Sequence, residues 1–297
     1  MIAPPALRKG SLVYITAPAK AVEMEEILSA QKVFEDWGFK VLIAPHCVQR
    51  FHYFSGTDAE RLADFQEGLD NPEIEAIICA RGGYGCARIV ERLNWNRFIQ
   101  QPKWIVGFSD VTVFHHKVHR LGIQSLHGIM PLGMRKGSPE ARETLRSALI
   151  GGAYQIQGVS SAMNQEGETI GELIGGNLTI ISSLLGTPLA YSFAHSILFI
   201  EDIGEYVYKI DRMLQTLKLC GVFDQIIGLI VGGVTDMEDT DIPFGKSIPE
   251  LITELIKDKT YPVVFEFPAG HITDNRTLVI GKSAKLSVTK EQFSLVI

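Results

Sequence analysis

Basic charge is the first thing this sequence lacks. Lys and Arg number 28 against 34 Asp and Glu, which leaves a formal net charge of −6, and no Lys/Arg-rich block occurs. A nucleic-acid or anionic-membrane partner therefore has no electrostatic footprint here. Long apolar runs are missing as well. The most apolar stretches, such as Gln225–Val234, fall far short of the ~20 residues that cross a bilayer, so they read as buried strands. The opening Met1-Ile2-Ala3-Pro4-Pro5 has neither the basic n-region nor the apolar h-region of a secretory signal, and the expected location is the cytoplasm. Cysteine is scarce. Cys47, Cys79, Cys86 and Cys220 form no C-x-x-C pair, which argues against a structural zinc site and for small buried thiols in a reducing compartment. There is no internal repeat and no low-complexity tract.

What is present is ordinary globular material, 46% hydrophobic and 21% charged over 297 residues, enough for two domains with proper cores. In the first half, strand and helix patterns alternate. Ser11–Ala17, Lys40–Ala44, Ile74–Ala80 and Lys103–Phe108 are short apolar runs that read as strands. Between them, Glu23–Trp37 places Ile27, Ala30, Val33, Phe34 and Trp37 on one helical face, and Gly38 stops it. Thr57-Asp58-Ala59-Glu60 is a capping box opening a helix to about Leu69. Helices are also expected from the Gly-rich turn at 81–85 to about Leu93, and from about Asp110 to Leu121. Ser138-Pro139-Glu140 opens another, with Pro at its first position. Repeated βα units imply a parallel sheet covered on both faces.

The texture then changes. Residues 151–168 are rich in Gly, Ser, Gln and Asn and read as a connection between an N-terminal α/β domain (1–150) and a C-terminal domain (169–297). Strands in the second domain are short and irregular, at Thr169–Ile174, Ile197–Ile200, Ile226–Val231, Val263–Phe267 and Thr277–Ile280, with helices at about Val207–Leu219 and Ser247–Lys257. This half is expected to be a strand-rich sheet or barrel.

In a parallel α/β sheet, ligands bind beyond the carboxyl ends of the strands, and two suggestive segments lie there. In Gly107-Phe108-Ser109-Asp110-Val111-Thr112, a strand enters and a helix leaves, so Ser109 would sit on a sharp turn with helix N–H groups beside it. Val111 occupies the second Gly position of G-x-S-x-G, and a lone Ser in this place is more often a plain helix N-cap. In Arg81-Gly82-Gly83-Tyr84-Gly85, glycine amides could form an oxyanion hole or grip a phosphate. No Gly-Lys-Ser/Thr follows and G-x-G-x-x-G is not matched, so a tight βα turn is the alternative.

A serine nucleophile needs a base and a group to orient that base. His271 lies on a Gly-linked loop after an apolar strand, in Phe267-Pro268-Ala269-Gly270-His271. Ile197–Ile200 ends in two carboxylates, Glu201 and Asp202, either of which could instead bond backbone or pair with Arg212. Cys86, after the Gly-rich turn, is a weaker nucleophile candidate because no His adjoins it. His115 and His119 are one helical turn apart but lack the Glu of H-E-x-x-H and a third ligand, so polar residues on an amphipathic helix describe them better than a metal site.

Taken together, these segments resemble the LD-carboxypeptidase (muramoyltetrapeptide carboxypeptidase) family over nearly the whole chain. In family order they are Phe54-Ser55-Gly56-Thr57-Asp58, Arg81–Gly85, Gly107–Asp110, Gly175-Gly176-Asn177-Leu178, Leu185-Gly186-Thr187-Pro188, Glu201–Glu205, Ile210–Leu214 and Gly270-His271. The resemblance implies a Rossmann-like parallel-sheet N-terminal domain, a β-rich, barrel-like C-terminal domain and a homodimer. It also implies a Ser-Glu-His triad of Ser109, Glu201 and His271, with Glu201 rather than Glu205 as the acid, and a reaction that uses no metal or cofactor. The implied substrate is a murein tetrapeptide, which loses its terminal D-alanine during cell-wall recycling. Asp110 and Gly83 are the expected oxyanion donors through their amides, with Arg81, Gly82 and Tyr84 around the substrate. Arg81 is the candidate clamp for a free carboxylate. Two alternatives remain: an immunity peptidase for microcin C-type conjugates with the same chemistry, and a non-catalytic small-peptide binding protein.

Overall fold

A computed structural model describes residues 1–297, which divide into two compact units, each with its own sheet. Met1–Ala153 and Thr273–Gly281 form the first, and Tyr154–Ile272 and Lys282–Ile297 the second.

In the first unit, strands β1 (Leu12–Thr16), β2 (Lys40–Ile43), β3 (Ile74–Cys79), β4 (Trp104–Gly107) and β5 (Ser125–His127) are all parallel, in the order β5-β4-β3-β1-β2. β3 and β4 are buried on nearly every residue, as strands covered on both faces must be. The covering helices are α1 (Met24–Asp36), α2 (Asp58–Asp70), α3 (Asn96–Gln100), α4 (Thr112–Arg120), α5 (Pro131–Met134) and α6 (Pro139–Leu149). α2 starts at the expected capping box, with the Thr57 side chain and the Glu60 side chain each satisfying the other's backbone N–H. α6 starts at Ser138 with Pro139 in its first turn. The expected helix to Leu93 is absent. Two 3₁₀ turns, Cys86–Arg88 and Val90–Arg92, stand in its place, with Ile89 and Val90 buried.

The strand order of this sheet reverses between β1 and β3. Segments leaving their carboxyl ends therefore flank the crevice where open α/β sheets bind ligands. The Arg81–Gly85 turn leaves β3 there, the Ala17–Ala21 segment leaves β1, and Ser109 follows β4 next door.

The second unit holds β6 (Gln155–Val159), β7 (Gly167–Asn177), β8 (Ser196–Ile203), β9 (Gly228–Thr235) and β10 (Val263–Val264). β11 (Leu278–Ile280) belongs to the first unit, whereas β12 (Ser283–Val288) and β13 (Gln292–Val296) complete the second. Its sheet runs β10-β9-β8-β7-β12-β13-β6, parallel from β10 to β7 and antiparallel beyond. The β-rich expectation holds, but the order is open rather than a continuous barrel, with a single bridge from Gln165 to Val263. Helices α7 (Leu178–Leu184), α8 (Val207–Leu219), α9 (Val222–Gln225) and α10 (Ile248–Leu255) complete it.

Two boundary expectations need correction. Residues 151–168 are not an open linker, because Gln155–Val159 pairs with β13 and buries Ile156. β11, expected in the C-terminal domain, instead pairs antiparallel with β5 of the first sheet. No helix is long and apolar enough to cross a membrane.

Candidate active site

In the first unit, Ser109 stands between the end of β4 and a 3₁₀ turn, Ser109–Val111, that leads into α4. The N-cap of that turn is Phe108 and that of α4 is Val111, so Ser109 is not the plain N-cap that its sequence context allows. Its backbone is left-handed, at φ +63°. For a residue with a Cβ this conformation costs on the order of 1–3 kcal/mol and persists only where the surroundings impose it. A strained serine between strand and helix is the geometry of a nucleophile elbow.

The surroundings that impose it can be named. Gly82, from the Arg81–Gly85 turn, lies so close that a Cβ added there would sit 2.8 Å from Ser109 Cβ and 3.0 Å from Oγ. Behind the elbow, His115 is fully buried, with Nε2 2.9 Å from the Gly107 carbonyl and Nδ1 2.8 Å from Ser125 Oγ. The carbonyl can only accept, so Nε2 carries the proton and Nδ1 accepts from the hydroxyl. Burial pulls His115 down to about 4, which keeps it neutral. Both ring nitrogens are spent on protein groups, so the His115–His119 spacing does not describe a metal site.

Asp110, next to Ser109, points its carboxylate inward, and Oδ2 accepts from the Cys86 amide at 2.8 Å. Burial raises its pKa. Cys86 is itself fully buried, and burial together with the Asp110 charge pushes its thiol far up, which leaves it inert as a nucleophile. Cys47 and Cys79 are buried too, but Cys220 is exposed, contrary to the expectation for all four.

Around the Gly-rich turn, Gly83 and Tyr84 are exposed, and Gly83 has φ +110°. The Tyr84 ring lies 6.1 Å from that of Phe54. Lys20 packs beside Gly83, with its ammonium 4.9 Å over the Tyr53 ring. One Arg81 Nη1–H donates to the Ala21 carbonyl at 2.9 Å, tying the loop after β1 to the turn after β3 and leaving further guanidinium donors.

In the second unit, Glu201 and His271 meet. His271 Nδ1 lies 2.5 Å from Glu201 Oε2, and the His271 amide donates to the same oxygen at 3.2 Å. Glu201 is fully buried and His271 partly exposed. A carboxylate on Nδ1 fixes the proton there and makes Nε2 the basic nitrogen. Burial alone would lower the imidazole's pKa, but the Glu201 charge and hydrogen bond outweigh it, and the net direction is up.

Two local features produce this pair. The β8–β9 register slips between Ile200 and Asp202, so Gly232 and Gly233 of β9 stand opposite Glu201 alone, a bulge that re-aims the side chain. Gly233 then bridges to Gly270. Gly270, at φ +102°, lies against Glu201, where an added Cβ would come within 2.7 Å of its Cβ. Asp202 goes elsewhere. Its carboxylate accepts from Asn177 Nδ2 at 3.0 Å and from the Thr179 amide and hydroxyl at 2.9 and 2.8 Å, anchoring the start of α7. Arg212 stacks 5.3 Å over Tyr208, and Glu205 pairs with Lys209 at 3.2 Å. The two carboxylates that end β8 thus divide into one that bonds the His271 imidazole and one that holds a helix.

Gly232-Gly233 drew no expectation from the sequence, and His115, expected as a polar residue of an amphipathic helix, is instead fully buried. Consecutive glycines inside an apolar strand signal a bulge or a close backbone approach. His115 has no such mark, because a buried histidine on a helix looks the same in sequence as an exposed one.

Comparison with known proteins assigns the family. Residues 13–128 match the LD-carboxypeptidase N-terminal domain, and residues 170–286 match the LD-carboxypeptidase C-terminal domain. The chain is 30% identical to the murein tetrapeptide carboxypeptidase of Pseudomonas aeruginosa, across 92% of each protein. The crystal structure of the muramoyltetrapeptide carboxypeptidase of Oxalobacter formigenes superposes with a TM-score of 0.88 at 28% identity, covering 96% of this chain and 98% of that one. The microcin C7 self-immunity protein MccF of Escherichia coli is 24% identical, over 94% of this chain and 90% of its own. With both halves matched and each unit built as described, the chain belongs to the LD-carboxypeptidase family.

Proposed function

We propose that this protein is a serine carboxypeptidase that releases the terminal D-alanine of murein tetrapeptides. The observation that carries the chemistry is the pairing of buried Glu201 with the partly exposed His271, which presents a basic Nε2. The strained Ser109 supplies a hydroxyl for that base to activate. Ser109 Oγ attacks the carbonyl before the terminal D-alanine. His271 Nε2 takes the serine proton and passes it to the leaving amine, while Glu201 holds the tautomer and stabilises the imidazolium. The Asp110 and Gly83 amides face the oxyanion, and Arg81 meets the free carboxylate of the substrate. Gly82 and Tyr84 line the approach.

The substrate follows from the relatives. A murein peptidase at 30% identity supports it better than the microcin-immunity relative at 24%. From the family we also carry over a cytoplasmic homodimer, which cell fractionation and sedimentation velocity check. The central test is incubation with a diaminopimelate-containing tetrapeptide, following free D-alanine, beside a microcin C-type conjugate. Ser109→Ala is expected to lose at least about 10³-fold in kcat while staying folded. Full activity in that variant, or turnover of the conjugate alone, overturns the proposal.

A further inference from the structure

The first unit contains a fully buried guanidinium that plays no part in the chemistry above. Arg61, on α2, is 1% exposed. Its Nη1 donates to the Gly85 carbonyl at 3.1 Å and to the Pro18 carbonyl, and its Nη2 meets the Asp58 carboxylate. The guanidinium lies 4.7 Å over the Phe54 ring. Asp58 is held in turn by Arg88, Nη2 to Oδ2 at 2.7 Å. A buried cation is retained only where acceptors surround it, and two of these acceptors are backbone carbonyls of the loops leaving β1 and β3. Gly85 makes room for it. At φ +150°, an added Cβ would come within 2.7 Å of Arg61 Nη1 and 2.9 Å of Ala19 Cα.

The peptide group joining Gly85 to Cys86 is therefore gripped at both ends. Its C=O accepts from Arg61, and its N–H donates to the Asp110 carboxylate. The cation faces the negative end of the peptide dipole and the anion faces the positive end. Asp110 directly follows Ser109, while Gly85 and Cys86 close the Gly-rich turn.

We propose that Arg61 and the Asp110 carboxylate are positioning residues that clamp the Gly85–Cys86 peptide and so fix the Gly-rich turn against the nucleophile elbow, setting the separation of the two oxyanion donors. The inference rests on the assignment of the Asp110 and Gly83 amides to the oxyanion. It gives the Asp110 side chain a task distinct from that of its amide, and it links the β1 loop to the same device through Pro18.

The test uses the full chain and four variants, Asp110→Ala, Asp110→Asn, Arg61→Met and Arg61→Lys. Two rates are measured per folded molecule: D-alanine release, and the second-order labelling of Ser109 by a fluorophosphonate, whose attack also builds charge on an oxygen. Asp110→Ala and Arg61→Met are expected to lower kcat about 10–100-fold with KM within about twofold, and to slow labelling by a similar factor. Asp110→Asn keeps an oxygen for the Cys86 amide and is expected to recover most of the loss. A purely structural role would lower the folded fraction or the melting temperature and leave both rates per folded molecule intact. If the truncated variants do not fold, Arg61→Lys decides: a kcat and labelling rate equal to wild type overturn the proposal, and a drop of about threefold or more in both, at unchanged KM, supports it. Wild-type protein that labels at Ser109 yet releases no D-alanine sinks the substrate assignment alone, and the labelling rates still judge the clamp. Wild-type protein that does not label sinks both.

Discussion

Replacing Gly82 by alanine tests the elbow more sharply than removing the Ser109 hydroxyl does, because it adds one methyl group and takes nothing away. The new Cβ would lie 2.8 Å from Ser109 Cβ, 3.0 Å from Oγ and 3.3 Å from the Asp110 amide nitrogen. Carbon atoms in contact prefer about 3.5–4.0 Å, so a gap of roughly 0.7 Å or more must open. Neither side yields easily. Ser109 is already held at φ +63°, and the carbonyl of Gly107, two residues earlier, is bonded to His115. Overpacking of this kind destabilises a fold by about 1–3 kcal/mol. Misplacing a reacting group by about 1 Å costs on the order of 10²-fold in rate. Gly82→Ala is therefore expected to lose about 10–100-fold in kcat/KM for D-alanine release, or ~1.4–2.7 kcal/mol of transition-state stabilisation. Gly133→Ala is the control. Its added Cβ would meet nothing nearer than Ile129 Cγ1 at 3.6 Å, so its activity should stay within about twofold of wild type. A Gly82→Ala protein as active as the control would refute the close contact between the turn and Ser109.

The other expectations concern titration and the His271 loop. In wild type the acidic limb of kcat/KM, where His271 loses its proton to become a base, should lie above 6.5, because the Glu201 charge overrides the effect of burial. Glu201→Gln removes that charge, so burial prevails and the limb should move to lower pH while kcat falls; an unmoved limb would break the link between the two residues. His115 binds its proton at about 4 when folded but near 6.5 when unfolded, so stability should decline as pH falls from 6.5 towards 4, by up to about 3 kcal/mol. His115→Gln should start less stable at neutral pH and show a shallower decline in urea titrations over that window; parallel curves would argue against a buried neutral imidazole. Gly270→Ala should reduce kcat at least tenfold, since its Cβ must push His271 off Glu201, and its pH profile should shift in the same direction as that of Glu201→Gln.

Much of this was legible from local chemistry. The Thr57–Glu60 box, the Ser138-Pro139 start and the limits of α8 follow from rules that act within a few residues, and the structure has all three. The segments around Ser109, Glu201 and His271 were legible as a set, although each alone had a plain structural reading. What escaped depends on distant partners. The polar Gln155–Val159 segment reads as linker, but an edge strand needs only one inward residue, here Ile156. Leu278–Ile280 reads as a strand but carries no sign of which sheet receives it. The division of labour between Glu201 and Asp202 depends on a bulge in β9, some thirty positions later in the chain.

The return of Thr273–Gly281 to the first unit bears on how the chain can be made and cut. β11 covers the outer side of β5, so the first sheet lacks its last strand until residue 280 has been synthesised. A nascent chain halted near residue 153 would carry β5 as a bare edge, with unpaired N–H and C=O groups open to any other strand. The halves of this protein are thus poor candidates for expression as separate pieces cut at residue 153, however cleanly the family's two domain matches divide the sequence. A split that respects the fold would have to leave Thr273–Ile297 free to serve both sheets.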